Sequence, residues 1–310
     1  LNTIIDENNS IKSIFVDEFT NKIFYMTLAF NLKNLTMEEL PLAGVVLDLV
    51  SSLDTENYSY KDLSKKIDIN TGGIKFSVNT FEDTKSDDYS VVASVSGRSI
   101  PDKIEEFLNL VEEIIFRTKF EDKKRIKDLL IVNRGDLESN IEQSGHSIIS
   151  TEINSMMRDS SDIGNRIGGR KYLFSLKDLI SRFDEDSDEI IISLKDVYKK
   201  NFNKKVILSV AGEKDWFNKT KDWIESLDEL SEFEEKLEFS RDNIKSIALK
   251  SSSNVVYVSD GFSYQDYGYE NNGELRVLAK ILSGDYLHTQ IRAKGGAYGA
   301  GISINQKGNV

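Results

Sequence analysis

The sequence predicts an α/β or α+β layered sandwich, and three observations carry that reading. Strand-like and helix-like runs alternate along the whole chain. Apolar residues keep a period of two in some stretches and the helical period in others. With 310 residues, 39% of them hydrophobic and 10% aromatic, the chain can supply one large core or two smaller ones.

The elements follow in order. Residues 11 to 33 predict two strands. In the second, Ile23, Tyr25, Thr27 and Ala29 alternate with Phe24, Met26, Leu28 and Phe30, so both faces are apolar and a central, doubly covered strand is expected. Thr36 and Glu39 form a capping box for a helix running to Leu53, with Pro41 tolerated in its first turn. A helix over Tyr60–Ile67 leads into Asn70-Thr71-Gly72-Gly73, a turn that opens a strand from Ile74 to Phe81, and Asp88–Gly97 returns as its hairpin partner. Pro101 starts an amphipathic helix with Ile104, Phe107, Leu108, Val111, Ile114 and Ile115 on one face. Helices over Asp122–Ile141 and Ser147–Arg158 carry many charges, taken as solvated faces. A loop is expected at Gly164–Gly169, then helices at Ser175–Phe183 and Asp188–Asn201, a buried strand at Lys205–Ala211 and a helix at Lys214–Leu227.

The run from Asp228 to Lys245 is acidic, charge-dense and without apolar period, as expected of a linker. Beyond it, Asn254–Val258 predicts a strand and Gly273–Arg292 a helix, which runs into Gly295-Gly296 and a second strand-like stretch. Paired glycines let a chain turn sharply at positive φ. Arg292 and Tyr298 flank that corner, six residues apart. A fixed cation and a neutral hydroxyl donor of this kind can hold a carbonyl that is becoming an oxyanion. His288, four residues before Arg292, falls on the same helical face. By itself such a corner is more often an ordinary helix-to-strand turn with a surface Arg and a core Tyr. It is no phosphate cradle, since Gly299-Ala300-Gly301 lacks the third glycine of a dinucleotide fingerprint and no P-loop is present.

Several classes of function are disfavoured. A net charge of −12 argues against a nucleic-acid surface and suits cationic partners. The chain has no cysteine, hence neither disulfides nor thiolate metal sites. Its longest apolar run, Leu40–Val50, contains Asp48 and is too short to span a bilayer. Two histidines, His146 and His288, stand outside any H-x-x-E-H context, so no metal ligands are expected in this chain. His146, next to a glycine at a helix start, is expected to serve structure or capping. No G-x-S-x-G elbow is present, and the pairs Asp184–Glu185 and Asp87–Asp88 look like surface carboxylates.

The stretch LHTQIRAKGGAYGAG, from Leu287 to Gly301, resembles a C-terminal-half signature of the insulinase superfamily of zinc metallopeptidases, in the branch of presequence protease and falcilysin. Asn70-Thr71-Gly72-Gly73-Ile74, Ser144-Gly145-His146 and Tyr267-Gly268-Tyr269 fall in the order that branch shows. The resemblance implies an insulinase-type sandwich with a mostly antiparallel or mixed sheet. It implies a first, peptidase-associated domain over residues 1–230, an acidic linker over 231–250, and the start of a last, homologous domain over 251–310. It further implies a zinc-dependent endopeptidase that degrades short unfolded peptides inside a clamshell chamber. The zinc and the general base would belong to the N-terminal half of the same polypeptide. This half would contribute Arg292 and Tyr298 as catalytic residues, with His288, Gly295, Gly296 and Ala297 against the substrate. Alone, the chain is expected to bind no zinc and to cleave nothing; chelator-sensitive hydrolysis by it would contradict this. The substrates implied are peptides, basic ones suiting the charge, with no nucleic acid and no membrane as partner. A non-catalytic scaffold or partner subunit of the same fold is the alternative. The chain starts without Met and stops at Val310 in a strand-like region, so a piece of a longer polypeptide is expected. Its composition leans towards a bacterial cytoplasm, or towards an organelle in a eukaryote.

Overall fold

The computed structural model describes residues 2–6, 11–83, 86, 88–241, 244, 246–250, 254–270, 272–305 and 309–310. Its strands are β1 (Thr3–Asp6), β2 (Lys12–Val16), β3 (Phe24–Asn31), β4 (Ile74–Glu82), β5 (Tyr89–Ser99) and β6 (Val206–Ala211). They form one mixed sheet in the order β1-β2-β6-β3-β5-β4. Of these strands, only β2 and β6 pair in parallel; the remaining neighbours are antiparallel. The last strand in sequence thus inserts between β2 and β3, tying the start of the chain to residue 211.

The helices are α1 (Leu40–Leu49), α2 (Tyr60–Asn70), α3 (Ile104–Arg117), α4 (Lys123–Gln143), α5 (Gly145–Met157), α6 (Asp159–Gly168), α7 (Arg170–Asn201), α8 (Lys214–Glu225) and α9 (Gly273–Ile281). Their starts are chemically marked. The Ser59 hydroxyl accepts from the Asp62 N–H at α2, and the Asp122 carboxylate from the Arg125 N–H at α4. Ahead of α1 the expected capping box is present in its reciprocal half: the Glu39 carboxylate accepts from the Thr36 N–H at 2.9 Å.

β3 decides how the sheet is buried. Phe24, Met26, Leu28 and Phe30 are at most 2% exposed, whereas Tyr25 is 40% exposed. The expectation of a doubly covered strand is therefore corrected: β3 is central in the sheet, but one face carries the core. Each large apolar side chain so buried contributes about 1.5–3 kcal/mol, and a one-residue slip would turn all of them outward, so the register is firmly set. Across β5 the same face shows Ala93 and Val95 opposite Phe30 and Leu28, both fully buried. α3 and α8 cover it with rings: Phe107 and Trp216 meet Phe24 edge-on, at 5.7 Å and 6.5 Å between centroids, and Phe217 meets Phe15 at 5.2 Å. α1 and α6 lie towards β4, with α7 and α4 outside them.

Three further expectations are corrected. Gly164–Gly169, read as a loop, belongs mostly to helix α6, whose Ile163 and Ile167 are buried. The two helices expected between Ser175 and Asn201 are both present: α7 breaks at Asp186, whose φ of −108° and ψ of 17° are not helical, and its first part starts earlier than expected, at Arg170. Asn254–Val258 forms no strand; Val256 and Val258 are 86% and 87% exposed, with no neighbouring strand to pair with among the described residues. The stretch after Gly296 is likewise not a strand. From Asp228 to Lys250 the described residues carry no helix or strand. Of the carboxylate pairs, Asp184 is 78% exposed and holds Lys127 at 2.5 Å, whereas Asp87 lies outside the described residues. No helix among the described residues is long and apolar enough to cross a membrane.

Candidate functional site

The helix that leads to the glycine corner begins at Asn272, whose side chain accepts from the Leu275 N–H at 3.0 Å. After Ile281 it widens into a π-helical stretch, Leu282–Ala293. Two nested bonds close its end: the Gly296 N–H donates to the Arg292 carbonyl at 3.0 Å, and the Ala297 N–H to the Ile291 carbonyl at 3.2 Å. Both glycines are required there. Gly296 sits at φ +76°, and a Cβ on Gly295 would meet the Ile291 carbonyl oxygen at 2.6 Å. The chain then folds back along the helix, because the Ser283 hydroxyl accepts from the Ile302 N–H at 3.0 Å and donates to the Ile302 carbonyl at 3.1 Å. Nothing in the sequence pattern singled out Ser283.

Arg292 and Tyr298 stand on either side of this corner, and Tyr298 is 88% exposed. His288, Arg292, Gly295, Gly296 and Ala297 are exposed as well. The side chains of Arg292, Tyr298 and His288 make no hydrogen bond or ion pair among the described residues. The described structure thus joins none of these three side chains to another by a hydrogen bond or ion pair. Neither of two cavities among the described residues takes them in. One, of about 280 Å³, is lined by Asn57, Tyr58, Glu106, Glu112, Glu113 and Arg117 among others; the second, of about 390 Å³, lies between Met156–Arg158, Arg241, Ser263–Asp266 and Asn309.

His146 starts α5 but is exposed, and its side chain neither caps the helix nor bonds another group among the described residues. The described residues bring no three His, Asp or Glu side chains into an arrangement that could hold a metal ion. Among the described residues, His146 and His288 therefore belong to no group that fits a zinc ion.

A charged constellation that sequence reasoning assigned to solvent lies beneath the attachment of the last segment. Glu152, only 3% exposed, accepts a two-pronged bond from Arg170 at 2.8 and 2.9 Å and a third from Asn165 at 3.0 Å. Burial alone would push its carboxyl up; the bonds from Arg170 and Asn165 and the charges of Arg170 and Lys171 hold it below the ordinary glutamate value. Asp162, 1% exposed, is paired with Arg166 at 3.1 Å and with Lys171. This network locks α5, α6 and α7 into a corner. On that corner Arg158 donates to the Gln265 side chain at 3.0 Å and to the Asn309 side chain at 3.4 Å.

Residues 2–179 match the family described as peptidase M16 subfamily C associated. Protein HypA of Clostridium perfringens is 31% identical over 312 residues, covering 98% of this chain and 32% of that protein. Presequence protease 1, chloroplastic/mitochondrial, of Arabidopsis thaliana is 26% identical over 313 residues, covering 99% of this chain and 29% of that protein. A crystal structure of a peptidase M16 inactive domain from Pseudomonas fluorescens shares the fold with a TM-score of 0.54 at 15% identity, covering 98% of this chain and 71% of that one. The chain belongs to this peptidase-associated family, and is a presequence-protease-like C-terminal half within the insulinase superfamily. It spans about a third of the length of these curated relatives.

Proposed function

We propose that this chain forms the metal-free half of a zinc-dependent peptidase and contributes Arg292 and Tyr298 to the wall of the active site opposite the metal. The observation that carries this reading is the glycine corner. Gly295 and Gly296 are demanded by the backbone, and the corner presents a guanidinium and a phenol that no other group of the described chain engages. Unengaged polar groups on a rigid turn are what a complementary surface needs. Tyr298 donates a hydrogen bond to the oxygen of a peptide carbonyl as it gains negative charge, and Arg292 holds the adjacent peptide oxygen. His288 and the backbone from Gly295 to Ala297 line the same wall. The zinc ion and the general base belong to the other half of the polypeptide, and the substrates are short unfolded peptides. With one relative from a bacterium and another from plant organelles, this reading suits either compartment.

The test is Tyr298→Phe in the full-length enzyme. Loss of one oxyanion donor lowers kcat by about 10²–10³-fold. Zinc content and KM are expected to stay as they were. An unchanged kcat would favour the alternative, a scaffold of the same fold in which the corner is a docking feature without chemistry.

A further inference from the structure

We propose that the free edge of β4 is a peptide-docking strand, which takes an extended peptide of about nine residues running antiparallel to it, by main-chain pairing. β4 closes one side of the sheet. It pairs with β5 over nine consecutive residues, from Ile74↔Gly97 to Glu82↔Tyr89, with no bulge. It contains no proline and one lysine, so the usual devices that blunt a sheet edge are nearly absent. In an antiparallel ladder alternate N–H and C=O groups point away from the partner. The outward groups of residues 74–82 make no hydrogen bond to any described part of the chain. α6 approaches from the helix-covered side, where Gly164 faces Thr80 and the Ser160 hydroxyl bonds Glu82. It makes no backbone hydrogen bond to residues 74–82. Phe76 and Val78 lie only half-buried there, while Val95 and Ala93, their partners on β5, are fully buried. The edge therefore offers an apolar shelf beside its free backbone groups.

Charge selects the occupant and its direction. Neither residues 69–81 nor 89–101 contain an acidic residue, and they place Lys75 and Arg98 at the Ile74 end. At the other end the described residues include the carboxylates of Glu82, Asp83 and Asp88. A peptide antiparallel to β4 sets its carboxyl terminus beside Lys75 and Arg98 and its amino terminus beside Glu82, Asp83 and Asp88. Both of its terminal charges are then matched, and in the parallel direction both are opposed. The inference takes peptides as the ligand class from the function proposed above. Its test reads amide exchange rather than hydrolysis, so it stands or fails separately from the Tyr298→Phe result.

The probe is a nine-residue peptide with free termini, lysines at its amino end and glutamates at its carboxyl end, added to this chain. Hydrogen exchange is expected to slow at alternate amides between Ile74 and Glu82. The same peptide with alternate backbone nitrogens methylated should give no such protection. In the double variant Lys75→Glu/Glu82→Lys, affinity for the probe should fall by about tenfold, while a peptide of reversed charge order gains. Both side chains are exposed, though Glu82→Lys also removes the bond from the buried Ser160 hydroxyl, so an unchanged exchange pattern in β3 verifies the fold. The proposal is overturned if the β4 amides exchange at the same rate at every probe concentration. It is equally overturned if their protection follows protein concentration instead, which would place a second copy on the edge, or if the methylated peptide protects as well as the probe.

Discussion

Glu152 shows how much one residue can decide. α5 carries no other acidic residue and no lysine or arginine, and its Glu152 is buried with three hydrogen bonds from Arg170 and Asn165. Removing one partner of such a pair leaves an uncompensated charge, so Glu152→Ala is expected to cost about 3–5 kcal/mol in denaturant unfolding. The pH dependence has a definite sign. The folded-state carboxyl sits below the ordinary glutamate value, so its contribution is complete above about pH 4.3 and is lost as pH falls through the lower, folded value. Glu152→Gln, which keeps the shape, should flatten the acid limb of a stability-versus-pH curve. A curve as steep as before would move the acid sensitivity to other carboxylates. This role was not legible in the sequence, which placed the charges of this helix on a solvated face: Arg170 lies 18 residues on and only the fold brings it near.

At the scale of elements, legibility followed how local the determining physics is. The β4–β5 hairpin, α3 and β6 follow from alternation, Pro101 and apolar runs. The elements misread are those decided by contacts distant in sequence. α6 contains Gly164 and ends at Gly168, and an interior glycine costs about 0.5–1 kcal/mol relative to alanine. Burial of Ile163 and Ile167 outweighs that. Asn254–Val258 shows the reverse: good strand formers form no strand there, and Val256 and Val258 stay exposed. A glycine inside β5 has a different purpose. A Cβ at Gly97 would lie 2.5 Å from the Phe107 ring and 2.8 Å from the Gly73 carbonyl oxygen, so only glycine lets α3 and the β4 turn approach the strand together. Gly97→Ala is expected to destabilise by about 1–3 kcal/mol, as overpacking does. The urea midpoint should fall with an unchanged slope. A neutral result would mean that Phe107 has room to turn aside.

For the whole molecule, the question is how the segment bearing the glycine corner is attached. Residues 3–225 hold the sheet and most of the core, while beyond residue 253 only Tyr264, Ala279 and Asn309 are buried among the described residues. With so little apolar burial, polar ties fix that segment in place. Both of its ends converge on one spot. Phe262 and Val310 exchange backbone hydrogen bonds at 2.9 and 3.3 Å, and Ser263 bridges Asn309. There Arg158 holds Gln265 and Asn309, while Arg241 holds Asp159 at 2.5 Å and the Met156 carbonyl at 3.0 Å. The chain between residues 262 and 310 is thus closed at its base over the α5–α6 corner, and the buried network of Glu152 and Asp162 keeps that corner rigid. The paired glycines made the turn between Arg292 and Tyr298 legible in the sequence, but its mooring was not, because Arg158 and Arg241 look like ordinary surface cations. Arg158→Ala should therefore loosen the last segment selectively. Limited proteolysis is expected to cut between residues 254 and 305 several-fold faster, with protection in β3, β5 and β6 unchanged. If cleavage stays at the original rate, the packing of Tyr257 and Gly261 on α5 holds the segment by itself. If the sheet also loosens, Arg158 belongs to the fold of the first 225 residues rather than to the attachment.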